Sequence, residues 1–378
     1  MNIYKKAILP LGFKASGFAS GIKKSGKLDL ALFYSDIPAK ASAMFTSNKI
    51  QAAPVVLCKD QLKKNKIFKA IIANSGNANC FTGKKGLANS KRTAVYLAKS
   101  LSIRDRSVLV ASTGIIGKQL PMDKIIKGIP VLAAGLSKHG IAQAKKAIMT
   151  TDKFVEEITV KFPIGQTTVT VCGVAKGAGM IAPNMATMLA FIFIDADITQ
   201  KALDKALRIC VENSFNCITV DGCMSTNDSV IVMANGASAN KVIKEKNNFE
   251  PFVKALGIVC LKLARMMVTD GEGATKFIEI KVKKALSQTE AKKAAMAIAN
   301  SNLFKTAMYG ENPNFGRIVA SVGASGINCK EKDLKIKLSD LKKKDIKIEV
   351  ALGRGKSECT VYTSDLSPEY IKINAAYN

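Results

Sequence analysis

The sequence predicts a layered α/β domain followed by a smaller α+β domain. Two observations carry the first part. Short apolar runs of strand length, such as residues 108–111 and 188–195, are bounded by small polar residues and glycines. Between such runs lie stretches with helical spacing, for example Leu203, Leu207, Cys210 and Val211. A third observation marks a boundary near residue 280. There Ile278, Ile280 and Val282 alternate with Phe277, Glu279 and Lys281, and Ser287-Gln288-Thr289-Glu290 has the form of a capping box. The predicted domains are 1–280 and 281–378.

Element by element, residues 1–60 read as short strands and turns. Residues 28–34 are apolar apart from Asp29, and Ala52-Ala53-Pro54-Val55-Val56-Leu57 reads as a strand with proline near its start. Residues 67–73 form a buried strand running into a loop, Asn74-Ser75-Gly76-Asn77-Ala78-Asn79. A helix is expected over 87–100. The strand 108–111 ends in Ser112-Thr113-Gly114-Ile115-Ile116-Gly117. Helices are expected from Pro121-Met122-Asp123 onward and over 141–149, stopping at Thr150-Thr151-Asp152. Residues 167–174 alternate as a strand and lead into a glycine-rich segment ending at Thr187. A buried strand over 188–195 follows, then the helix bearing Leu203, a strand over 229–233 and a mostly buried helix over 256–267. Beyond the capping-box helix, the remainder reads as lysine-rich strand and loop.

Composition narrows the chemistry. Of 378 residues, 48% are hydrophobic and 23% charged, the balance of a chain with a large core rather than a disordered one. Lysine and arginine total 57 against 29 acids, a formal charge of +28, which invites a nucleic-acid reading. Yet only seven of the 57 are arginine, the side chain suited to phosphates and guanines, and the lysines are scattered. No aromatic interleaves with a basic cluster. The charge reads as a solvated surface. Nine cysteines without a CxxC pair, and the single His139 in a loop-like context, leave almost no material for a Cys/His zinc site and fit a reducing, cytoplasmic setting. The longest apolar run, over 188–194, is far below the ~18 residues of a membrane span. Residues 7–13 are too short for a signal-peptide core. Neither a membrane nor a nucleic-acid partner is expected.

The familiar catalytic kits fail in turn. One exposed-looking histidine does not make a Ser-His-Asp triad. No P-loop occurs, and Gly173-Val174-Ala175-Lys176-Gly177-Ala178-Gly179 is neither GxGxxG nor followed by a helix. One constellation survives. Thr187 opens a buried apolar strand after a glycine-rich loop. A threonine hydroxyl needs an adjacent base, and cleavage before the threonine creates one, an α-amine of pKa about 7.7–8.0. The plain alternative is a β-branched strand residue. Thr113 and Gly114, at a strand end, are candidates for an oxyanion hole, though an ordinary turn explains them equally well. Lys176, Glu272 and Asn374 are polar residues in glycine-rich or terminal contexts, each also readable as a turn residue.

Together these segments resemble the glutamate N-acetyltransferase (ornithine acetyltransferase) family, self-cleaving enzymes of the cyclic arginine pathway. The likeness runs over nearly the whole chain. It rests on Asn74-Ser75-Gly76-Asn77-Ala78-Asn79, Ser112-Thr113-Gly114-Ile115-Ile116-Gly117, Met149-Thr150-Thr151-Asp152, Val220-Asp221-Gly222, Ser225-Thr226-Asn227-Asp228, residues 270–276 and Asn314-Phe315-Gly316-Arg317. The most specific part is the run from Lys176 to Leu189, which contains Ala186-Thr187-Met188.

The resemblance implies a four-layer αββα sandwich, similar in plan to N-terminal-nucleophile hydrolases, with a smaller C-terminal domain whose tail returns to the active site. It implies self-cleavage between Ala186 and Thr187, giving chains 1–186 and 187–378 that assemble as α2β2. Thr187 would be the nucleophile, and Thr113 and Gly114 the oxyanion hole. Lys176, Glu272, Asn374 and one of Thr150 and Thr151 would bind substrate. The implied reaction moves acetyl from N2-acetylornithine to glutamate by a ping-pong route through acetyl-Thr187, with no cofactor and no metal. Bifunctional members also accept acetyl-CoA, and no residue here decides that. Three departures stand out. The family pattern has Asp-Thr at Cys223-Met224, Trp at Phe315, and a longer ending than Asn374-Ala375-Ala376-Tyr377-Asn378, so a contact from a final hydroxyl does not carry over. A hydrolase using the same threonine, and a non-enzymatic basic nucleic-acid binder, are the competing readings.

Overall fold

The computed structural model describes residues 1–182 and 188–376. The expectations for Ala186, Thr187, Tyr377 and Asn378 therefore lie outside the described residues. The chain forms two units, the first from residues 1–177, 188–213 and 225–263, the second from 178–182, 214–224 and 264–376.

In chain order, the first unit holds β1 (Asn2–Tyr4), β2 (Phe13–Phe18), β3 (Leu30–Phe45), α1 (Ala53–Lys64), β4 (Phe68–Asn77), α2 (Gly83–Ser100) and β5 (Val108–Ile115). It continues with α3 (Met122–Ala134), α4 (Ile141–Ala147), β6 (Glu156–Ile164), β7 (Thr167–Lys176), β8 (Leu189–Ile194), α5 (Gln200–Glu212), β9 (Ser229–Ala234) and α6 (Phe249–Thr269), whose last turns fall in the second unit. The long strand β3 serves two sheets. Its first half pairs with β2 and β4, with Phe33 opposite Ile71, and β4 pairs in parallel with β5. The register shifts between Tyr34 and Ala39, and the second half pairs with β9, which continues the series β8, β7, β6 and β1.

The two sheets face each other through aromatic rings. Phe33 lies 5.1 Å from Phe191 and 5.0 Å from Phe193, and Phe13 lies 5.3 Å from Phe193. Phe191 and Phe193 are two residues apart on β8, so the period-2 pleat aims both inward. Helices cover the outer faces. The Cys58 thiol of α1 donates to the Val110 carbonyl of β5 at 3.1 Å, and α4 packs on β2. On the other side Phe252 of α6 meets Phe162 of β6 at 6.5 Å. The result is the expected αββα sandwich of four layers. The stripe Leu203, Leu207, Cys210 and Val211 is buried, as its spacing predicts.

The second unit holds β10 (Phe277–Ala285), α7 (Gln288–Ala299), α8 (Asn302–Tyr309), α9 (Phe315–Ala324), β11 (Lys335–Leu338), β12 (Asp345–Ala351), β13 (Ser357–Ser364) and α10 (Pro368–Ala375). Its four strands run in the order β11, β12, β10, β13. Ile278, Ile280 and Val282 are fully buried against α7. The capping box forms, with Ser287 Oγ accepting from Glu290 N–H at 3.1 Å. Its return bond goes one residue further out, from Leu286 N–H to the Glu290 carboxylate at 2.7 Å.

Three local expectations change. Residues 53–57 are the start of α1 rather than a strand, because Pro54 sits in the first helical turn, where its missing N–H costs nothing. The polar run 74–77 is not loop but the end of β4, since pairing with β5 satisfies its backbone. The C-terminal stretch also contains α8, α9 and α10 among its strands and loops. Among the described residues, no helix is long and apolar enough to cross a membrane.

The ring cluster sets a stability expectation. Phe193→Ala should lower unfolding free energy by about 3–5 kcal/mol, the usual cost of truncating a fully buried phenylalanine. Urea unfolding followed by circular dichroism reads this directly; a loss under about 1 kcal/mol would mean that the two sheets do not depend on that ring.

Candidate active site

Within the first unit, the parallel strands β4 and β5 end side by side, with Ser75 opposite Thr113 and Gly76 opposite Gly114. Thr113 is buried, and Gly114 has φ +130. A Cβ at Gly114 would lie 2.4 Å from the Gly76 carbonyl carbon, so only glycine allows this approach. A web of amides braces the strand ends. Asn227 Nδ2 donates to the carbonyls of Ala78 (2.6 Å) and Ser112 (2.8 Å). Ser112 Oγ donates to Asn74 Oδ1 at 2.6 Å, and Asn77 Nδ2 reaches the Gln119 carbonyl at 3.1 Å. Each buried amide is thereby paired, as burial demands.

Lys176, the last residue of β7, is fully buried. Its Nζ donates to Thr150 Oγ1 at 2.7 Å and stands 3.8 Å from Asp152. Of the expected threonine pair, Thr150 is thus the one that meets Lys176, while Thr151 is half-buried. Asp152 Oδ1 accepts Gly177 N–H at 2.6 Å, and its Oδ2 accepts Thr150 N–H. Lys23 joins the group. Its Nζ donates to the carbonyls of Leu28 (2.8 Å) and Met149 (2.7 Å). Burial pushes its pKa down to about 8; Asp29 pulls it up, and the neighbouring Lys176 charge adds to the lowering. Lys23 and Lys176 are thus close enough to act on one another, with Asp29 and Asp152 as neighbouring carboxylates.

On the adjacent strand, Met188 N–H donates to Asp228 Oδ1 at 2.8 Å. Asp228 is wholly buried, and burial holds its carboxyl well above the usual range, with the Met188 bond and the Lys176 charge opposing.

Within the second unit, Glu272 N–H donates to the Ala178 carbonyl at 2.8 Å. A Cβ at Gly179 would lie 2.3 Å from a Glu272 carboxylate oxygen, so glycine makes room for that acid. Asn374 of α10, 102 residues further on, donates its amide to Glu272 Oε2 at 2.9 Å. Asp221 accepts the N–H groups of Met180 (2.6 Å) and Ile181 (2.9 Å) and the Tyr370 hydroxyl (3.2 Å). Met180 adopts φ +55, a left-handed conformation costing roughly 1–2 kcal/mol in a non-glycine residue, which these charge-assisted bonds offset.

The predicted residues thus fall into groups. Lys176 and Thr150 come together in one unit, as do Glu272 and Asn374 in the other. Thr113 and Gly114 sit on the braced strand end. Ala186 and Thr187 lie outside the described residues. The roles of Lys23, Asp152, Asp221, Asn227 and Asp228 were not legible in advance, because each pairs with backbone or side chains far off in sequence and none breaks the local pattern. The lone His139 is exposed in a turn, as expected.

The description "ArgJ family" belongs to a family model that matches residues 14–378. An arginine biosynthesis bifunctional protein ArgJ from Caldanaerobacter subterraneus is 47% identical, over 98% of this chain and 98% of the relative. A protein of the same name from Geobacter sulfurreducens is 45% identical, over 97% of this chain and 98% of its own length. Among solved structures, the ornithine acetyltransferase of Mycobacterium tuberculosis complexed with ornithine is 38% identical, with a TM-score of 0.45, over 48% of this chain and 97% of that one.

The glycine at the end of β5 is open to test. Gly114→Ala should cost about 1–3 kcal/mol, the usual range for overpacking, seen as a lower thermal midpoint. An unchanged midpoint would show that the β4 and β5 ends are not held at contact distance.

Proposed function

The chain belongs to the ArgJ family; from that premise we propose that it is an N-acetyltransferase of arginine biosynthesis that moves acetyl from N2-acetylornithine to glutamate through an acetyl-Thr187 intermediate. Self-cleavage between Ala186 and Thr187 generates the nucleophile. The α-amine of Thr187 removes the hydroxyl proton, Oγ attacks the acetyl carbonyl, and ornithine leaves with that proton. Glutamate then enters, its amine attacks the acetyl ester, and Thr187 is restored. The N–H groups at Thr113 and Gly114 stabilise the oxyanion in both halves. The cleaved chains assemble as α2β2.

The observation that carries this reading is the buried Lys176 ammonium, bonded to Thr150 Oγ1 at 2.7 Å with Lys23 as its neighbour. A buried ammonium bonded to a neutral hydroxyl retains the charge to bind a carboxylate, and both substrates carry one. Glu272, held by Asn374, supplies the complementary charge for an ammonium group such as that on the ornithine side chain. An amide partner leaves that carboxylate its negative charge, which a lysine partner would have neutralised. Acetyl-CoA as an alternative donor for the first half-reaction belongs to the same proposal, since it would load the same threonine.

Denaturing mass analysis tests the cleavage. The wild-type chain should give two fragments, 1–186 and 187–378, and Thr187→Ala a single inactive full-length chain. One uncut wild-type chain that moves no acetyl from N2-acetylornithine to glutamate overturns the reading, and acetyl passing to water regardless of added glutamate would assign a hydrolase instead. Lys176→Met keeps the length and removes the charge. It should raise KM for both substrates at least tenfold and lower kcat less, because a carboxylate contact is made equally in ground and transition states. Unchanged KM values would remove Lys176 from substrate binding.

A further inference from the structure

The proposed reaction uses two places in the first unit at once. In an N-acetyl amino acid the carboxylate and the acetyl carbonyl are joined through one α-carbon and one nitrogen, so covalent geometry sets how far apart they lie. A site that grips the carboxylate at Thr150 and Lys176 and stabilises the oxyanion at Thr113 and Gly114 needs a matching separation. A misplacement of about 1 Å can cost about a hundredfold in rate. Yet Thr113 lies in β5, Lys176 ends β7, Thr150 follows α4, and β5 and β7 are not neighbours in the sheet.

Lys23 ties the two places together. Its segment is built on Asp29, a fully buried acid. Asp29 Oδ1 accepts the Ser20 N–H at 2.7 Å and the Ser20 hydroxyl at 2.8 Å, and Oδ2 accepts Lys23 N–H at 3.0 Å. The Asp29 carbonyl accepts Ser75 N–H at 2.9 Å, which fixes the same segment to the end of β4. Gly76 comes next, at φ +95, and a Cβ there would lie 3.2 Å from Lys23 Cγ. The lysine stem therefore sits close over Gly76, the ladder partner of Gly114. From there its Nζ reaches the Met149 carbonyl at 2.7 Å. That carbonyl and Thr150 N–H belong to one planar peptide group, and the N–H donates to Asp152. Both sides of the group are thus held, which orients the residue whose hydroxyl takes the Lys176 bond at 2.7 Å.

Resting on the reading of the acetyl-transfer site above, we infer that Lys23 is a positioning residue for that reaction: its stem on Gly76 and its ammonium on the Met149 carbonyl set the distance from the Thr113–Gly114 strand end to Thr150 and Lys176. In this role it touches neither the carboxylate nor the acetyl group. A lysine on carbonyls past a helix end also has an ordinary use, since it pairs groups the helix leaves open. An exposed lysine would serve that use as well. Lys23 instead is half-buried and packed against Gly76, next to a second ammonium. Without the Lys23 ammonium, Thr150 and Lys176 still grip a carboxylate, but the acetyl carbonyl drifts from its N–H donors. The loss then falls on kcat, whereas loss of Lys176 falls on KM.

Steady-state kinetics of acetyl transfer from N2-acetylornithine to glutamate, with the purified enzyme, test this. Lys23→Met keeps a stem for Gly76 and removes the ammonium. It should lower kcat at least about tenfold and move KM for N2-acetylornithine less than about threefold, the opposite split from Lys176→Met. Lys23→Arg restores a charged donor and should recover most of the lost kcat. An unchanged kcat in Lys23→Met, a rise in KM as large as the fall in kcat, or a loss that Lys23→Arg does not recover overturns the inference. If Lys23→Met does not fold, Lys23→Gln, which keeps an amide donor, is read by the same split. Failure of both to fold assigns Lys23 to stability alone and also overturns it. A wild-type enzyme that moves no acetyl to glutamate brings down the proposed function instead, and that is seen before any variant is compared.

Discussion

Three buried or half-buried carboxylates hold the backbone that leads into and out of residues 183–187. Asp152 accepts Gly177 N–H, Asp221 accepts Met180 and Ile181 N–H, and Asp228 accepts Met188 N–H. Gly177, Met180, Ile181 and Met188 lie between the β7 and β8 ladders, and their N–H groups are paired by side chains instead of strand partners. Gly177, Ala178 and Gly179 also have little side chain with which to pack. Hydrogen bonding is the means left for fixing such a segment, and a carboxylate makes the strongest acceptor for backbone N–H. The cost shows in the carboxyls that burial raises, Asp221 and Asp228.

Strand register determines which of these groups can act on one another. β7 and β8 are antiparallel, with Lys176 opposite Leu189, and β8 and β9 are parallel, with Leu189 opposite Ser229. Lys176, residue 188 and Asp228 are therefore neighbours at the same end of three adjacent strands although they span more than fifty positions of sequence. A one-residue slip of β8 would send Phe191 and Phe193 out of the ring cluster. The same packing that closes the sandwich thus keeps the Met188 N–H on Asp228. On the other sheet, the parallel pairing of β4 and β5 does the equivalent work for Gly76 and Gly114.

Most of this fold is legible in the sequence because its strands are short, apolar and punctuated. The runs at 67–73, 108–111 and 188–195 each sit within or against an observed strand. The error at residues 53–57 has a physical source, since Val55, Val56 and Leu57 favour strands locally and Pro54 is allowed both at a strand start and in a first helical turn. Packing against β5 through Cys58 decides for the helix. Site residues split differently. Lys176, Glu272 and Asn374 were nameable through the resemblance. Asp152, Asp221 and Asp228 look locally like turn acids, and what distinguishes them is pairing 25, 40 and 40 residues away.

The charge of +28 illustrates the same point from the other side. Screening confines exposed lysines to roughly 8–10 Å at physiological salt, so a diffuse surplus cannot by itself select one small charged molecule over another. Selection needs a charge that water does not reach, held by groups that leave it uncancelled. Lys176 meets that condition, being bonded to a hydroxyl with Asp152 at 3.8 Å and already engaged by two backbone N–H groups. Asp152 thus helps make burial of the lysine tolerable while its two oxygens also hold backbone N–H groups. One carboxylate shapes the chain, and under the proposed function the ammonium beside it is the group that meets a substrate carboxylate.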